Sequence, residues 1–251
     1  MSKVIILGAS NAVSTQESEN THFAIVGNER VVLIDSPDNT IVRLERVGVD
    51  FNDLTDIIAT HFHPDHVSGI PLLLMDMWLM GRQKPLNIYG LSYTLERIEG
   101  MMGFYNWSRW PDFFPVIFHH LPVAEMTLAL DCADFTVRTS PVRHMIPNIG
   151  LRIEFKDSQK IMAYSCDTKP CAEVVRLSAG ANVLLHEATG EEAGHSSAKQ
   201  AGEIAAQAEV GKLYLIHYAT GKYAKGDLIE EARSTFPGEI ELAKDFMVLD
   251  F

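Results

Sequence analysis

Apolar residues fall in short blocks along most of the chain, separated by polar or turn-forming residues, and few blocks hold more than one strand or helix. Residues 4–7, 23–26 and 31–34 are β-rich runs, and Gly27-Asn28 between the last two predicts a hairpin turn. A helix is expected from about 40 to 47, a strand ending at 56–59 and a helix over 67–80. A strand and turn at 85–90 and a helix over 91–102 follow. Farther on, 126–130 with 135–139, 151–155 with 161–164 around the polar turn 156–160, then 183–185 and 212–216, all predict strands. Ser197 and Gln200 have the spacing of a capping box for a helix running to about Ala208, and 227–251 reads as a helix and an edge strand.

The chemistry is concentrated in Thr60-His61-Phe62-His63-Pro64-Asp65-His66, directly after the apolar run 56–59. Three imidazoles and a carboxylate at a strand end aim several donor atoms at one point. Such donors suit Zn²⁺, with Mn²⁺ or Fe²⁺ as alternatives, and four of them exceed what one tetrahedral ion takes from a single turn. Two divalent ions are therefore expected. A solvated His-rich loop is the competing reading, against which stand the stiffening Pro64 and the apolar flanks. The aromatics of 104–118 (Phe104, Tyr105, Trp107, Trp110, Phe113, Phe114 and Phe118) fit neither a helical nor a strand period. Three readings stay open for them: a lid over the metals, a subunit interface that would make the chain a homodimer, or an irregular segment packed on the core.

With 251 residues, 47% hydrophobic and 22% charged, the chain is expected to form one domain, 1–251. Thirty-three acids against 21 bases give a net charge of −12. That repels polyanions at long range, and two divalent ions return only about +4 at their site. The balance argues against a long nucleic acid as partner and is neutral about a small phosphate ester. Cys132, Cys166 and Cys171 lack Cys-x-x-Cys spacing and suggest a reducing, cytoplasmic setting. The longest apolar run, 70–80, is interrupted by Asp76, so no membrane partner is expected, and the opening residues read as a first strand and not a leader.

His61, His63, Asp65 and His66 match the signature His-x-His-x-Asp-His, and at these residues the chain resembles the metallo-β-lactamase superfamily. Ser165-Cys166-Asp167-Thr168 is similar to its Ser-Gly-Asp-Thr turn, with Cys166 where the family has Gly; Cys166 itself reads as a small buried hydrophobe. Segment 81–90, His186-Glu187-Ala188-Thr189 and Gly194-His195-Ser196 resemble the ribonuclease Z branch and its phosphodiesterase relatives. His144 alone would be a structural histidine. The cluster at His61 favours a ligand role instead, and the family has a third-motif His near this point. His217 matches the last ligand motif, and 218–223 echoes the loop beyond it. Asp35, after Leu33-Ile34, either orients a metal-binding His or caps the helix at 40.

The resemblance implies an α/β fold, a four-layer αββα sandwich of two facing mixed sheets with helices outside and the ligands on one rim. A loose division of the elements near Leu130 suits it. By resemblance, His61, His63 and His144 hold one metal and Asp65, His66 and His217 the other, with Asp167 between them. Two adjacent divalent ions make a bridging hydroxide available near neutral pH. Asp65 would position it or take its proton. His195, supported by Glu187 and set just before a capped helix, would contact the phosphate or protonate the leaving oxygen. The expected activity is that of a phosphodiesterase on a small or short phosphodiester. A lactonase or thioesterase-type hydrolase and a non-catalytic metal-binding accessory protein are the alternatives. Family members that process transfer RNA carry an extended basic arm between the third-motif His and the bridging Asp. Here the interval from His144 to Asp167 holds only the hairpin the sheet needs. Arg82, Lys84, Arg97 and Arg109 read as an ordinary solvated face, so precursor transfer RNA is expected to be a poor substrate.

Overall fold

The computed structural model describes residues 2–251, and Met1 lies outside them. The first half of the chain supplies β1 (Lys3–Gly8), β2 (His22–Val26), β3 (Val31–Ile34), α1 (Thr40–Arg46), β4 (Leu54–Ile58), α2 (Pro64–Val67), α3 (Ile70–Leu79), β5 (Leu86–Leu91), α4 (Ser92–Phe104) and β6 (Val116–Leu121). The second half supplies β7 (Thr127–Asp131), β8 (Phe135–Val142), β9 (Asn148–Phe155), β10 (Ile161–Tyr164), α5 (Ala172–Ser178), β11 (Val183–Glu187), α6 (Ala198–Gln207), β12 (Lys212–Ile216), α7 (Leu228–Arg233), β13 (Glu239–Leu242) and β14 (Val248–Asp250). They pair into two seven-stranded mixed sheets, in the orders β14-β1-β2-β3-β4-β5-β6 and β13-β12-β11-β10-β9-β8-β7.

The central strands read as unbroken apolar runs because both of their faces are covered. Along β1, Val4 and Ile6 enter the core between the sheets, where they join Phe135, Leu151, Ile153 and Leu185 of the second sheet. Ile5 and Leu7 point the other way, into the layer with Ile41, Leu44, Leu73, Leu74, Leu95 and Ile98 of α1, α3 and α4. Helices α5, α6 and α7 cover the second sheet through Val174, Ala201, Ile204, Ala205 and Ala232. This is the expected αββα sandwich. The Gly27-Asn28 hairpin is present, closed by the Gly27 amide donating to the Arg30 carbonyl at 2.9 Å.

Strand direction places the chemistry. β4 is parallel to β3 and β5, β10 to β11 and β12, and β8 runs with β10 because each is antiparallel to β9. The segments leaving β4, β8, β10 and β12 carry His61–His66, His144, Asp167 and His217, β11 ends in Glu187, and all meet on one rim.

Several expectations are corrected. The helix expected over 67–80 begins earlier and breaks: α2 starts at Pro64 and ends at Val67, and α3 starts afresh after the N-cap Gly69. Pro71, in the first turn of α3, has no N–H for a continuous helix to use. The tail forms two edge strands where one was expected, β13 on the second sheet and β14 back on the first, beside β1. Arg82 is no part of a solvated face. It is 1% exposed, and its guanidinium donates to the carbonyls of Phe51, Leu54, Lys84 and Pro85. The aromatic segment lies at the end of the first sheet opposite the rim, since β5 and β6 are parallel and α4 must carry the chain back to the start of β6. It is no lid. Phe114 is buried, Trp107, Trp110, Phe113 and Phe118 pack on the outer layer, and Trp110 stacks on Trp78 at 4.9 Å.

Candidate metal centre

On the rim, the donor atoms of His61, His63 and His144 lie within 4.8 Å of one another, and so do those of Asp65, His66, Asp167 and His217. His63 Nδ1 is 3.0 Å from His61 Nε2 and 3.1 Å from His144 Nε2. Asp65 Oδ2 is 3.6 Å from His66 Nε2 and 3.4 Å from His217 Nε2. Asp167 Oδ2 sits between the two groups, 3.5 Å from His66 Nε2 and His217 Nε2, 3.9 Å from His61 Nε2 and 4.0 Å from His144 Nε2.

The hydrogen bonds behind the rings decide what their front nitrogens offer. His66 Nδ1 meets Asp35 Oδ2 at 2.7 Å, and His144 Nδ1 meets the Gly194 carbonyl at 2.8 Å; both partners only accept, so Nδ1 carries the proton. The Thr189 hydroxyl donates to the His217 carbonyl, which leaves its oxygen to accept from His217 Nδ1 at 2.9 Å. The Thr60 hydroxyl donates to Asp35 Oδ2 and accepts from His61 Nδ1 at 3.1 Å. In each neutral ring Nε2 is then a bare lone pair. Four such nitrogens and two carboxylates converge, and the one ring among them with a proton to share is His63, whose Nδ1 can donate to only one of His61 Nε2 and His144 Nε2. His66 Nε2 and Asp167 Oδ1 are buried without any hydrogen-bond partner. Burial disfavours charge on His66, yet the carboxylates of Asp167 and Asp35 raise its pKa well above the usual value. The negative field that would keep a proton there equally attracts a divalent cation. The donor set fits Zn²⁺ or a similar ion.

Asp35 thus takes the orienting role. The N-cap of α1 is Asn39, and Asp35 lies among the site residues, with Thr60 N–H at 2.8 Å. Three site residues are in the left-handed region: Asp35 at φ 61°, Cys166 at 51° and His217 at 53°. Non-glycine residues rarely adopt it, and such strain gathers where a side chain must be aimed. Cys166 therefore keeps the turn that glycine would make freely. Its side chain is buried in the core between the sheets, with Sγ 3.8 Å from His61 Nδ1 and within 4.8 Å of a donor atom of His66, and burial pushes the thiol up to about 12.

Beside the metal donors, β11 ends in Glu187, whose side chain is fully buried. Its Oε1 accepts from Thr168 N–H, Ser196 N–H and His195 Nδ1, and its Oε2 from Thr189 N–H, all at 3.0 Å. The expected capping box is formed: Ser197 Oγ accepts from the Gln200 amide, and Gln200 Oε1 from that of Ser197. His195 therefore sits just before α6, its ring 4.9 Å from that of His144 and 5.8 Å from that of His217. Burial lowers its pKa, but the hydrogen bond and charge of Glu187 outweigh this and raise it. Three positioning groups escaped the sequence reading: Thr60, Thr189 and Gly194. Thr60 and Gly194 adjoin His61 and His195, so adjacency was their available signal, whereas Thr189 closes the motif that begins at His186 and meets His217 only in space.

The fold and this donor set define a metal-dependent hydrolase of the metallo-β-lactamase superfamily, in its ribonuclease Z-like branch. A family model described as anti-Pycsar protein Apyc1 matches residues 2–236, and the chain belongs to that family. Among curated relatives, a ribonuclease Z of Mycobacterium sp. (strain KMS) is 30% identical over 98% of this chain and 94% of its own. The ribonuclease Z of Methanothermobacter thermautotrophicus is 27% identical over all of this chain and 97% of its own. The latter alignment runs over 307 positions against 251 residues here, so at least 307 − 251 = 56 positions have no counterpart in this chain. The metallo-β-lactamase fold protein YhfI from Bacillus subtilis superposes with a TM-score of 0.82 at 22% identity, over 99% of this chain and 98% of that one. No helix among the described residues is long and apolar enough to cross a membrane.

Proposed function

We propose that this protein is a dinuclear metal-dependent phosphodiesterase acting on a small or short phosphodiester. In this reading His61, His63 and His144 hold one ion, Asp65, His66 and His217 the other, and Asp167 contacts both. When bound, two divalent ions acidify water and neutralise charge building on the phosphate oxygens. The observation that carries the phosphodiester reading is His195. A buried carboxylate with four donors favours its protonated form, and one of its ring nitrogens lies within 4.8 Å of donor atoms of His144 and Asp167. A cationic donor beside a metal rim suits an anionic substrate and a leaving oxygen that needs a proton.

Substrate size is supported by what lies between His144 and Asp167. That interval is taken up by β9, the turn after it and β10, both of which the second sheet needs. A net charge of −12 supplies no replacement for a basic arm. The three cysteines are free, which supports a reducing compartment. The test is metal analysis followed by a panel of bis(4-nitrophenyl) phosphate, a lactone, a thioester and a precursor transfer RNA. Two ions per chain and turnover of the small diester alone are expected. Preference for the lactone or thioester overturns the phosphodiester assignment, and efficient removal of a 3′ trailer at moderate salt overturns the size argument.

A further inference from the structure

We propose that the Gly194 peptide is a positioning element that couples the metal-holding His144 to the substrate-facing His195; this rests on the ligand role assigned to His144 above. The Gly194 carbonyl accepts from His144 Nδ1 at 2.8 Å and so sets the tautomer that leaves Nε2 facing the other donors. The next residue, His195, is held through Nδ1 by Glu187, and the amide after it donates to the same carboxylate oxygen. The turn is closed on both sides, by the His195 amide donating to the Glu192 carbonyl at 3.1 Å and the Gly190 amide to the Ser196 carbonyl at 3.0 Å. A shift at residue 194 therefore has no slack to absorb it. None of the groups behind the other three rings, Thr60, Asp35 and Thr189, adjoins His195.

Glycine is required here twice over. Gly194 has φ +84°, and a Cβ built on it would lie 2.9 Å from His144 Nδ1 and 3.3 Å from the Met145 amide nitrogen. Any side chain must push His144 off its carbonyl or push the turn away, and the turn carries His195. Gly81, beyond the end of α3 and away from the rim, offers the control. Its φ is nearly the same, at +83°, but its Cβ would meet nothing within 4 Å.

The experiment titrates purified, metal-stripped wild type, Gly194→Ala and Gly81→Ala with Zn²⁺ against a competing chelator. It then measures kcat and KM on bis(4-nitrophenyl) phosphate at saturating Zn²⁺. Gly194→Ala should weaken one of the two ions by about 10–100-fold and leave the other in place, the usual effect of removing the group behind a metal-binding ring. Its kcat should fall at saturating Zn²⁺ more than its KM changes, because His195 moves with the peptide. Gly81→Ala, which carries the same backbone strain away from the site, should bind both ions as wild type does. Equal losses in the two variants, or none in Gly194→Ala, overturn the coupling. The ¹⁵N imidazole spectrum of metal-free wild type tests it without any variant: His144 should carry its proton on Nδ1, and a proton on Nε2 overturns the proposal. A wild type that binds no Zn²⁺ removes the metal reading itself, whereas a wild type that binds two ions beside an unaffected Gly194→Ala removes only this inference.

Discussion

Replacing Glu187 by Gln separates the carboxylate's charge from its shape. Oε1 accepts three hydrogen bonds and Oε2 one, from Thr189 N–H. A glutamine best keeps its carbonyl oxygen at the Oε1 position, so His195 stays in the same tautomer and orientation, while its NH₂ meets the Thr189 N–H donor to donor. A bond to a charged acceptor is worth roughly 1 kcal/mol more than its neutral counterpart, and a stranded buried N–H costs about 1–3 kcal/mol. No longer burying a charge offsets part of this, so Glu187→Gln should be destabilised by about 2–4 kcal/mol. Calorimetry should show Tm lowered by roughly 5–15 °C for a chain of this size. The kinetic effect depends on pH. Glu187 favours the protonated form of His195, so removing its charge moves the alkaline limb of the kcat profile to lower pH. On the acid side, where His195 stays protonated, the variant should approach wild-type turnover. Above the shifted limb the deficit should grow toward the roughly 10²–10⁴-fold that general acid catalysis supplies. Metal content, measured alongside, should be unchanged. A uniform deficit at every pH, or an unmoved alkaline limb with two ions bound, would show that Glu187 only scaffolds the loop and that His195 is not the titrating acid.

Asp167→Ala should lower occupancy of both ions and His144→Ala mainly one, as read by metal analysis; unchanged content in the Asp167 variant would sink its placement between the two. His195→Ala should keep its metals and lose roughly 10²–10⁴-fold in phosphodiester turnover, and near wild-type rates would return His195 to a plain loop residue. Away from the site, His22 Nε2 and Asp38 Oδ1 face each other at 3.5 Å, both buried and without another partner. Burial, with Glu19 nearby, raises Asp38 from 3.8 to about 6, so ionising it costs up to about 3 kcal/mol, at 1.36 kcal/mol per unit. That cost is absent below pH 3.8, grows as the pH rises and is complete above 6. Asp38→Asn should therefore exceed wild type in denaturant midpoint at pH 8, with the gap closing toward pH 4; a pH-independent gap would refute the assignment.

The candidate ligand set was legible because its first four members are local. A strand end that spends four donors in six residues advertises its purpose, and His144, Asp167 and His217 each follow an apolar run that could only be a strand. Arg82 was misread because its burial depends on four backbone carbonyls, two of them some thirty residues away, which no side-chain pattern records. The break between α2 and α3 had a local signal in Gly69 and Pro71 that the apolar run masked. The aromatic segment lacks a period because it is irregular, and its distance from the rim follows only from β5 and β6 being parallel. The orienting role of Asp35 depends on His66 in space, so its two readings could not be separated in one dimension.

The return of β14 to the first sheet has a consequence for synthesis. Six of that sheet's seven strands have been made by Leu121, yet the partner of β1 on its open side arrives only with Val248–Asp250. Between those points the ribosome adds the whole second sheet. During that interval the amides and carbonyls on one side of β1 have no strand to pair with, and an unpaired edge is where two nascent chains can join. Arg43 and Asp245, an ion pair between α1 and the segment just before β14, bring the late strand to its place. The first half of this protein is therefore built early and closed last.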